Sequence, residues 1–392
     1  MTNSDVIIAG IGQTTVGEHW DVSLRELALY AMEAAVEDAA GLRPDALFVS
    51  NVLAPMVSGQ AHLGVLLADF AGLRAIEATT IEAAGASGGA AVRAGFLAVK
   101  SGFVDVVMVV GVEKITDKVS EEVDEALAAT LDSDYETMHG LNPTAQAALL
   151  MQRYLYETGA PRETFGGFPT IAHANGAQNP KAMFQMELNP EAYIRAPLIC
   201  DPMNMYDVAP DADGAAAILI TRSDLSPNNH SSTKTASRVR IAASDITTDT
   251  LALHDRPDPL DFRSARYSVE KALFQAGIQR DQVDFYELCD VTTIHAVLSL
   301  EAAGFARRGQ GWKLATDSSL NLQGELPIST FGGLKARGNP WGASGVYQIV
   351  EAVSQLRNNA GALQVPNPKF GMVQCLGGPS STAVTHILEL VD

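Results

Sequence analysis

Cysteine and basic charge are the two things this sequence has little of. Only Cys200, Cys289 and Cys375 occur. An odd, sparse set builds no disulfide framework, and no CxxC pair is present to hold zinc, so no metal is expected and a reducing, cytoplasmic setting is. Lys and Arg number 27 against 46 Asp and Glu, for a net charge of −19. Nucleic acid is excluded as a partner, because phosphate neutralisation needs clustered cations. Long apolar runs are missing as well: Val104–Val112, nine residues, is among the longest, and a membrane span needs about 20. The N-terminal MTNSDVIIAGIG has neither a basic n-region nor a cleavable apolar h-region. Gly10-x-Gly12 follows a strand pattern, but Thr15 stands where a third glycine would complete a dinucleotide fingerprint. What remains is a chain of 392 residues, 47% of them hydrophobic, long enough for two to three domains and a large core.

The sequence repeats itself. Val6–Gly12 reads as a buried strand entering a glycine turn. Ser23-x-x-Glu26 is a capping box ahead of an apolar stripe at Leu24, Leu27, Ala28, Ala31 and Ala35, and Ala40-Gly41 closes that helix. A turn at Arg43-Pro44-Asp45 leads to a strand over 46–52. The same order returns later: a helix from about Ser268 to Ala276-Gly277, a turn at Arg280-Asp281, a strand over 283–288. A second pair matches too. Gly85-Ala-Ser-Gly-Gly89 opens a small-residue helix to about Val99, and Gly342-Ala-Ser-Gly345 opens another to about Leu356. β-rich runs follow each, at 104–112 in the first half and at 371–375 and 383–388 in the second. Two matched pairs in one order imply an internal duplication, and the strand–helix alternation implies α/β layers with a mixed sheet. Residues 1–222 are expected to form the first half, with an inserted loop domain at about 115–213 that holds a helix over 144–158. Residues 223–236 read as a polar linker and 237–392 as the second half.

Four motifs carry a family resemblance. Glu82-Ala-Ala-Gly-Ala-Ser-Gly-Gly-Ala90, Gly332 to Gly345 (with Gly338-Asn-Pro340), Cys375-Leu-Gly-Gly378 and Glu287-Leu-Cys-Asp-Val-Thr292 resemble the nucleophile turn, the G-H-P loop, the C-x-G loop and the N-E-x-F or H-D-x-F loop of the thiolase superfamily. The stretches 135–140 and 207–214 look like its sterol-carrier-protein and archaeal acetyl-CoA acetyltransferase branch. The resemblance spans nearly the whole chain. It implies a five-layered αβαβα fold, coenzyme A thioesters as substrate or ligand with no bound cofactor, and a homodimer or dimer of dimers. It also implies a zinc-ribbon/OB-fold partner protein.

The same motifs depart from the family in their chemistry. A thiolase nucleophile is a Cys at a helix N-terminus, where the dipole and backbone N–H groups favour the thiolate. Gly85 stands there instead. Asn339 replaces the activating His; it can donate a hydrogen bond but is no general base. Cys289 replaces the Asn or His of the third loop, and only Cys375 stands where the family places it. The resemblance assigns Cys375 and Cys289 to proton transfer, Asn339 to a hydrogen bond on the ligand, and the backbone N–H groups of Gly85 and Gly377 to an oxyanion hole. It places His139 and His173 in the region that binds the CoA ester. Cys200 reads as structural. Three functions stay open: aldol or retro-aldol chemistry without an acyl-enzyme, a catalytically silent scaffold, and acyl transfer from a relocated cysteine.

Overall fold

The structure, a computed structural model, describes residues 4–226 and 238–391. The first half runs β1 (Val6–Gln13), α1 (Leu24–Asp38), β2 (Ala46–Ser50), α2 (Ala54–Val57), α3 (Leu63–Phe70), β3 (Glu77–Ile81), α4 (Ser87–Ser101) and β4 (Val106–Glu113). An excursion of α5 (Ser120–Ala128), α6 (Pro143–Thr158), α7 (Gly167–Gly176), α8 (Pro190–Arg195) and the short pair β5 (Leu198–Cys200) and β6 (Met203–Asn204) precedes β7 (Gly214–Arg222). The second half runs β8 (Arg238–Thr248), α9 (Arg263–Ala276), β9 (Phe285–Glu287), α10 (Thr293–Ala302), α11 (Trp341–Leu356), β10 (Phe370–Gly377) and β11 (Thr382–Val391). Of the expected linker, residues 227–236 lie outside the described residues, and Ser223–Leu225 form a single 3-10 turn.

Strand pairing repeats between the halves. β1 is antiparallel to β7, β7 is antiparallel to β4, and β4 is parallel to β2, which is parallel to β3. β8, β11, β10 and β9 reproduce that pattern, antiparallel, antiparallel, then parallel. The halves meet where Ile7 and Ile8 of β1 oppose Arg240 and Val239 of β8. Among the described residues this gives one nine-stranded sheet in the order β3-β2-β4-β7-β1-β8-β11-β10-β9.

Five layers follow from which faces are apolar. Along β4, Val107 and Val109 join a cluster with α4 and α11, while Met108, Val110 and Val112 join another with α1 and α3. That is the period-2 alternation of a strand buried on both faces. The second half-sheet likewise turns Val373, Cys375 and Val384 to the middle cluster and Met372, Ala383 and Ile387 to α9 and α10. The order is therefore outer helices, half-sheet, α4 with α11, half-sheet, outer helices. The middle layer explains the small-residue motifs. Every residue from Gly342 to Val353 is buried, and a Cβ on Gly88 would stand 2.8 Å from the Gly345 Cα. Only glycine lets two buried helices cross at backbone contact.

Local signals hold where they are self-contained. The Ser23–Glu26 capping box is formed, and Asn142 caps α6 through Ala145 N–H at 2.8 Å. α9 begins at Arg263, not Ser268, because Ser264 and the Ala265 N–H (3.1 Å) bond to Ser380, which extends the helix toward the β10–β11 loop. Asp213 ties the end of the first-half excursion to its start, accepting from Ile115 N–H at 2.7 Å and from Thr116 N–H at 2.9 Å and hydroxyl at 2.7 Å. A second excursion, residues 303–340, runs from α10 to α11 and carries the Gly332–Pro340 part of the second motif.

Candidate active site

The four motif loops sit where β3, β9 and β10 end and where α4, α10 and α11 begin, the edge of an α/β sheet that most readily takes a ligand. They converge on a cleft that also takes wall residues from the first excursion. Gly85, Cys289, Asn339 and Cys375 all line it. The structure brings together four residues that lie up to 290 positions apart (375 − 85).

Gly85 is held by close approach. A Cβ there would stand 2.6 Å from the Leu376 carbonyl oxygen, and a Cβ on Gly377 would stand 2.5 Å from the Ala83 carbonyl oxygen. The nucleophile-type turn and the end of β10 thus lock backbone to backbone through two reciprocal glycines. The turn is further set by Ser87, whose hydroxyl donates to Ala84 O at 2.7 Å and accepts Ala83 N–H at 2.8 Å. Ala84 takes a positive φ of 50°.

Asn339 is fixed from both sides. Its N–H donates to Pro210 O at 3.0 Å, and its Oδ1 accepts the Ser344 hydroxyl at 2.7 Å. That contact leaves the amide Nδ2 as the group Asn339 can offer a ligand. Behind it, α11 starts on a buried carboxylate: Glu113 accepts Gly342 N–H at 3.1 Å, Val52 N–H at 3.0 Å and Asn51 Nδ2 at 2.7 Å. Burial pushes Glu113 up to about 7 against those donors. The loop before Asn339 is a π-turn, Gly333–Arg337. Asp290 holds it through Leu334 N–H at 2.8 Å, Lys335 donates to Asp207 O at 2.7 Å, and Arg337 pairs with Glu351 at 3.0 Å, both fully buried.

Both cleft cysteines are thiols at neutral pH. Cys375 packs behind the two central helices: a Cβ on Gly345 would stand 2.8 Å from its Sγ, and one on Gly89 would stand 3.0 Å away. Its Sγ lies 3.5 Å from Gln348 Oε1, as donor. Burial, and then the nearby Cys289, push it up to about 12. Burial pushes Cys289 up to about 11, although the Val291 and Leu376 N–H groups face its sulfur.

Two cleft residues escaped the sequence reading. His295, on α10, bonds Thr292 Oγ1 through Nδ1 at 2.7 Å and faces the Gly378 backbone; burial brings it down to about 4, so it is neutral. Asp211 accepts the Trp341 indole N–H at 2.7 Å and lies beside Asn339 in a parallel bridge. The residue is exposed on the cleft wall, and enclosure by the walls raises its carboxyl to about 6. The helical periodicity of 293–302 and the turn chemistry of 207–214 gave no sign of either role.

Two expected residues lie away from the cleft lining and a third at its border. His139 is exposed at the end of a 3-10 turn. His173 is buried on α7, bonded to Met186 O at 3.1 Å and stacked on Phe184. Neither is brought to the cleft. Gly377 opposes Thr382 in the β10–β11 ladder and faces an adjoining groove, while Gly378 lines the cleft.

Comparison with known proteins agrees with this architecture. Two family models match, "Thiolase, N-terminal domain" over residues 6–224 and "Thiolase C-terminal domain-like" over 246–390. The chain is 37% identical to the "Acetyl-CoA acetyltransferase" of Methanothermobacter thermautotrophicus, over 98% of this chain and 99% of that one. It is 30% identical to the "Benzoylsuccinyl-CoA thiolase subunit BbsB" of Thauera aromatica, over 95% and 94%. The solved "Ltp2-ChsH2(DUF35) aldolase" superposes with a TM-score of 0.84 at 22% identity, covering 98% of each chain.

Proposed function

Because this chain belongs to the thiolase superfamily, we propose that it takes acyl-CoA thioesters into the cleft and makes or breaks a carbon–carbon bond next to the thioester without forming an acyl-enzyme. One observation carries this reading. The position that needs a nucleophilic thiol is Gly85, and the Leu376 carbonyl oxygen fills the space a side chain there would use, 2.6 Å from a Cβ. The remaining thiols support it: at about 11 and 12, Cys289 and Cys375 expose almost no thiolate near neutral pH, and the thiolate is the nucleophile.

Retro-aldol cleavage asks less of the site than thiolysis. A base removes the proton of a β-hydroxyl, the Cα–Cβ bond breaks, an aldehyde or ketone leaves, and the thioester enolate is reprotonated at Cα. Fixed N–H donors suffice to hold the enolate oxygen. The Gly85 and Gly378 backbone N–H groups and the Asn339 Nδ2 are the donors we assign to it, with Cys375 and Cys289 as buried walls close to the reacting carbons. The name of the structural neighbour, an aldolase, agrees with this chemistry. Acyl transfer from a relocated cysteine is the second reading, favoured by the acetyltransferase name of the archaeal relative and opposed by the two raised thiols.

Partners follow the same logic. β3 ends the sheet with one edge unpaired among the described residues, which supports pairing with a second copy as a homodimer or dimer of dimers. The neighbour's name joins two proteins and the Thauera relative is named a subunit, which supports a heteromeric complex with a zinc-ribbon/OB-fold protein. Among the described residues no helix is long and apolar enough to cross a membrane. The test is to incubate the protein with 3-hydroxyacyl-CoA esters, trap released aldehyde, and weigh the intact protein. Aldehyde without an acyl adduct supports the reading. An acyl adduct supports the second reading, and CoA-ester binding without turnover supports a scaffold.

A further inference from the structure

We infer that Asp211 is the proton-transfer group of this cleft, taking the β-hydroxyl proton of the substrate and returning it to the enolate carbon. The inference rests on the retro-aldol reading and names the residue that would carry its proton.

The geometry selects Asp211 by placement. Among the described residues, those that line the cleft include no Lys or Arg; their titratable members are Asp124, Asp211, Cys289, His295 and Cys375. His295 has Nδ1 committed to Thr292 and its other edge turned to the Gly378 backbone. Cys375 is wedged behind Gly89 and Gly345 with its proton toward Gln348. Cys289 faces two backbone N–H groups. Asp211 differs from these three, and it is Asp211, rather than the exposed Asp124 of α5, that the bridge to Asn339 sets beside the assigned donor. The residue is exposed on the cleft wall, yet its carboxyl is aimed: the Trp341 N–H holds Oδ1 at 2.7 Å, and the Asn339 N–H bond to Pro210 O at 3.0 Å locks its backbone beside the donor assigned to the enolate. Base and hydrogen-bond donor therefore approach the ligand from adjacent points.

The electrostatics suit the role. Enclosure, and then the like charge of Asp124 on α5, raise Asp211 to about 6, against the Trp341 hydrogen bond. Asp124 is itself raised by burial and by Glu121 beside it. The other titratable groups that line the cleft, His295 and the two thiols, are neutral near pH 7. A carboxyl titrating close to neutrality can accept and donate a proton in one cycle. The step balances. The Asp211 carboxylate takes the β-hydroxyl proton, and the O–H electrons become the new C=O. The Cα–Cβ pair moves onto the thioester as its enolate. The Asp211 carboxyl then gives the proton to Cα, which restores the carboxylate and leaves the shorter acyl-CoA. No oxidant, reductant or co-reactant is consumed.

The test uses the full chain with 3-hydroxybutyryl-CoA to 3-hydroxyoctanoyl-CoA as probes. It reads aldehyde release against pH, and CoA-ester affinity by calorimetry. For Asp211→Asn we expect a loss of about 10²- to 10⁴-fold in cleavage with ester affinity changed less than about threefold and the acidic limb of the pH profile gone. Asp211→Glu should recover part of the rate and keep that limb. If the wild type cleaves a probe and Asp211→Asn cleaves it as fast with the same profile, Asp211 is not the proton carrier and the retro-aldol reading stands. If the wild type cleaves no probe, the reading itself fails and the inference falls with it.

Discussion

Replacing Gly85 by Ala asks whether the turn is a decayed nucleophile site or a packed backbone contact. The two have opposite signs. A Cβ at residue 85 lands 2.6 Å from Leu376 O, where real Cβ atoms essentially never come under 3.0 Å, so the loops must part by at least 0.4 Å (3.0 − 2.6). Leu376 cannot simply recede. It sits in β10 opposite Ala383 of β11, and the same strand end meets the turn again one residue on, where a Cβ on Gly377 would stand 2.5 Å from the Ala83 carbonyl oxygen. Overpacking of this kind costs about 1–3 kcal/mol. A Gly→Ala change at a site that tolerates the methyl instead stabilises by about 0.4–1 kcal/mol, through the unfolded chain. Urea unfolding of Gly85→Ala beside the wild type decides between them. We expect a lower midpoint with an unchanged slope. A midpoint equal to or above the wild type would refute the packing account. Gly85→Cys should be destabilised to a similar extent and gain no acetyl group after acetyl-CoA treatment, read by intact mass.

Other perturbations follow from the same contacts. Arg337→Met should cost about 3–5 kcal/mol in urea unfolding, because it strands the buried Glu351, with Glu287 and its raised carboxyl nearby. Glu113 gives a pH signature. Its folded value of about 7 lies above its ordinary 4.5. Its contribution is therefore full below about pH 4.5 and is lost as pH rises through about 7, a change of order 3 kcal/mol. Glu113→Gln should flatten the fall in stability between about pH 5 and pH 8, measured by urea midpoints across that range; an unchanged slope would count against a raised Glu113. Ser344→Ala should free the Asn339 amide to rotate and weaken turnover more than binding, seen as a drop in kcat with KM little changed.

Much of the fold was legible because it is written in local pattern. The Ser23–Glu26 box, the Gly41 and Gly277 helix stops and the matched glycine-rich helix openings each follow from one element's own chemistry. The duplication then carried the topology, since each half-sheet pairs in the same order. What stayed hidden depends on contacts between distant segments. Nothing around Ser264 announces that Ser380 will extend α9. Gly85 read as a missing thiol because its constraint comes from Leu376, far along the chain. Asp211 sits in Asp-Val-Ala-Pro-Asp-Ala-Asp-Gly, where an acid reads as a turn residue, and only the fold sets its carboxyl against Trp341 in the cleft. His139 and His173 show the converse. The excursion that carries them does wall the cleft, but through Asp124, Leu127, Thr144 and Gln146 rather than through either imidazole.

The most direct measurement is single-turnover mixing of the protein with 3-hydroxyacyl-CoA esters, with trapped aldehyde and intact protein mass read from the same sample. Aldehyde and a shorter acyl-CoA formed in equal amounts, with the protein mass unchanged throughout, is the expected result. An acyl adduct on Cys289 or Cys375 that forms and decays at the turnover rate would contradict it.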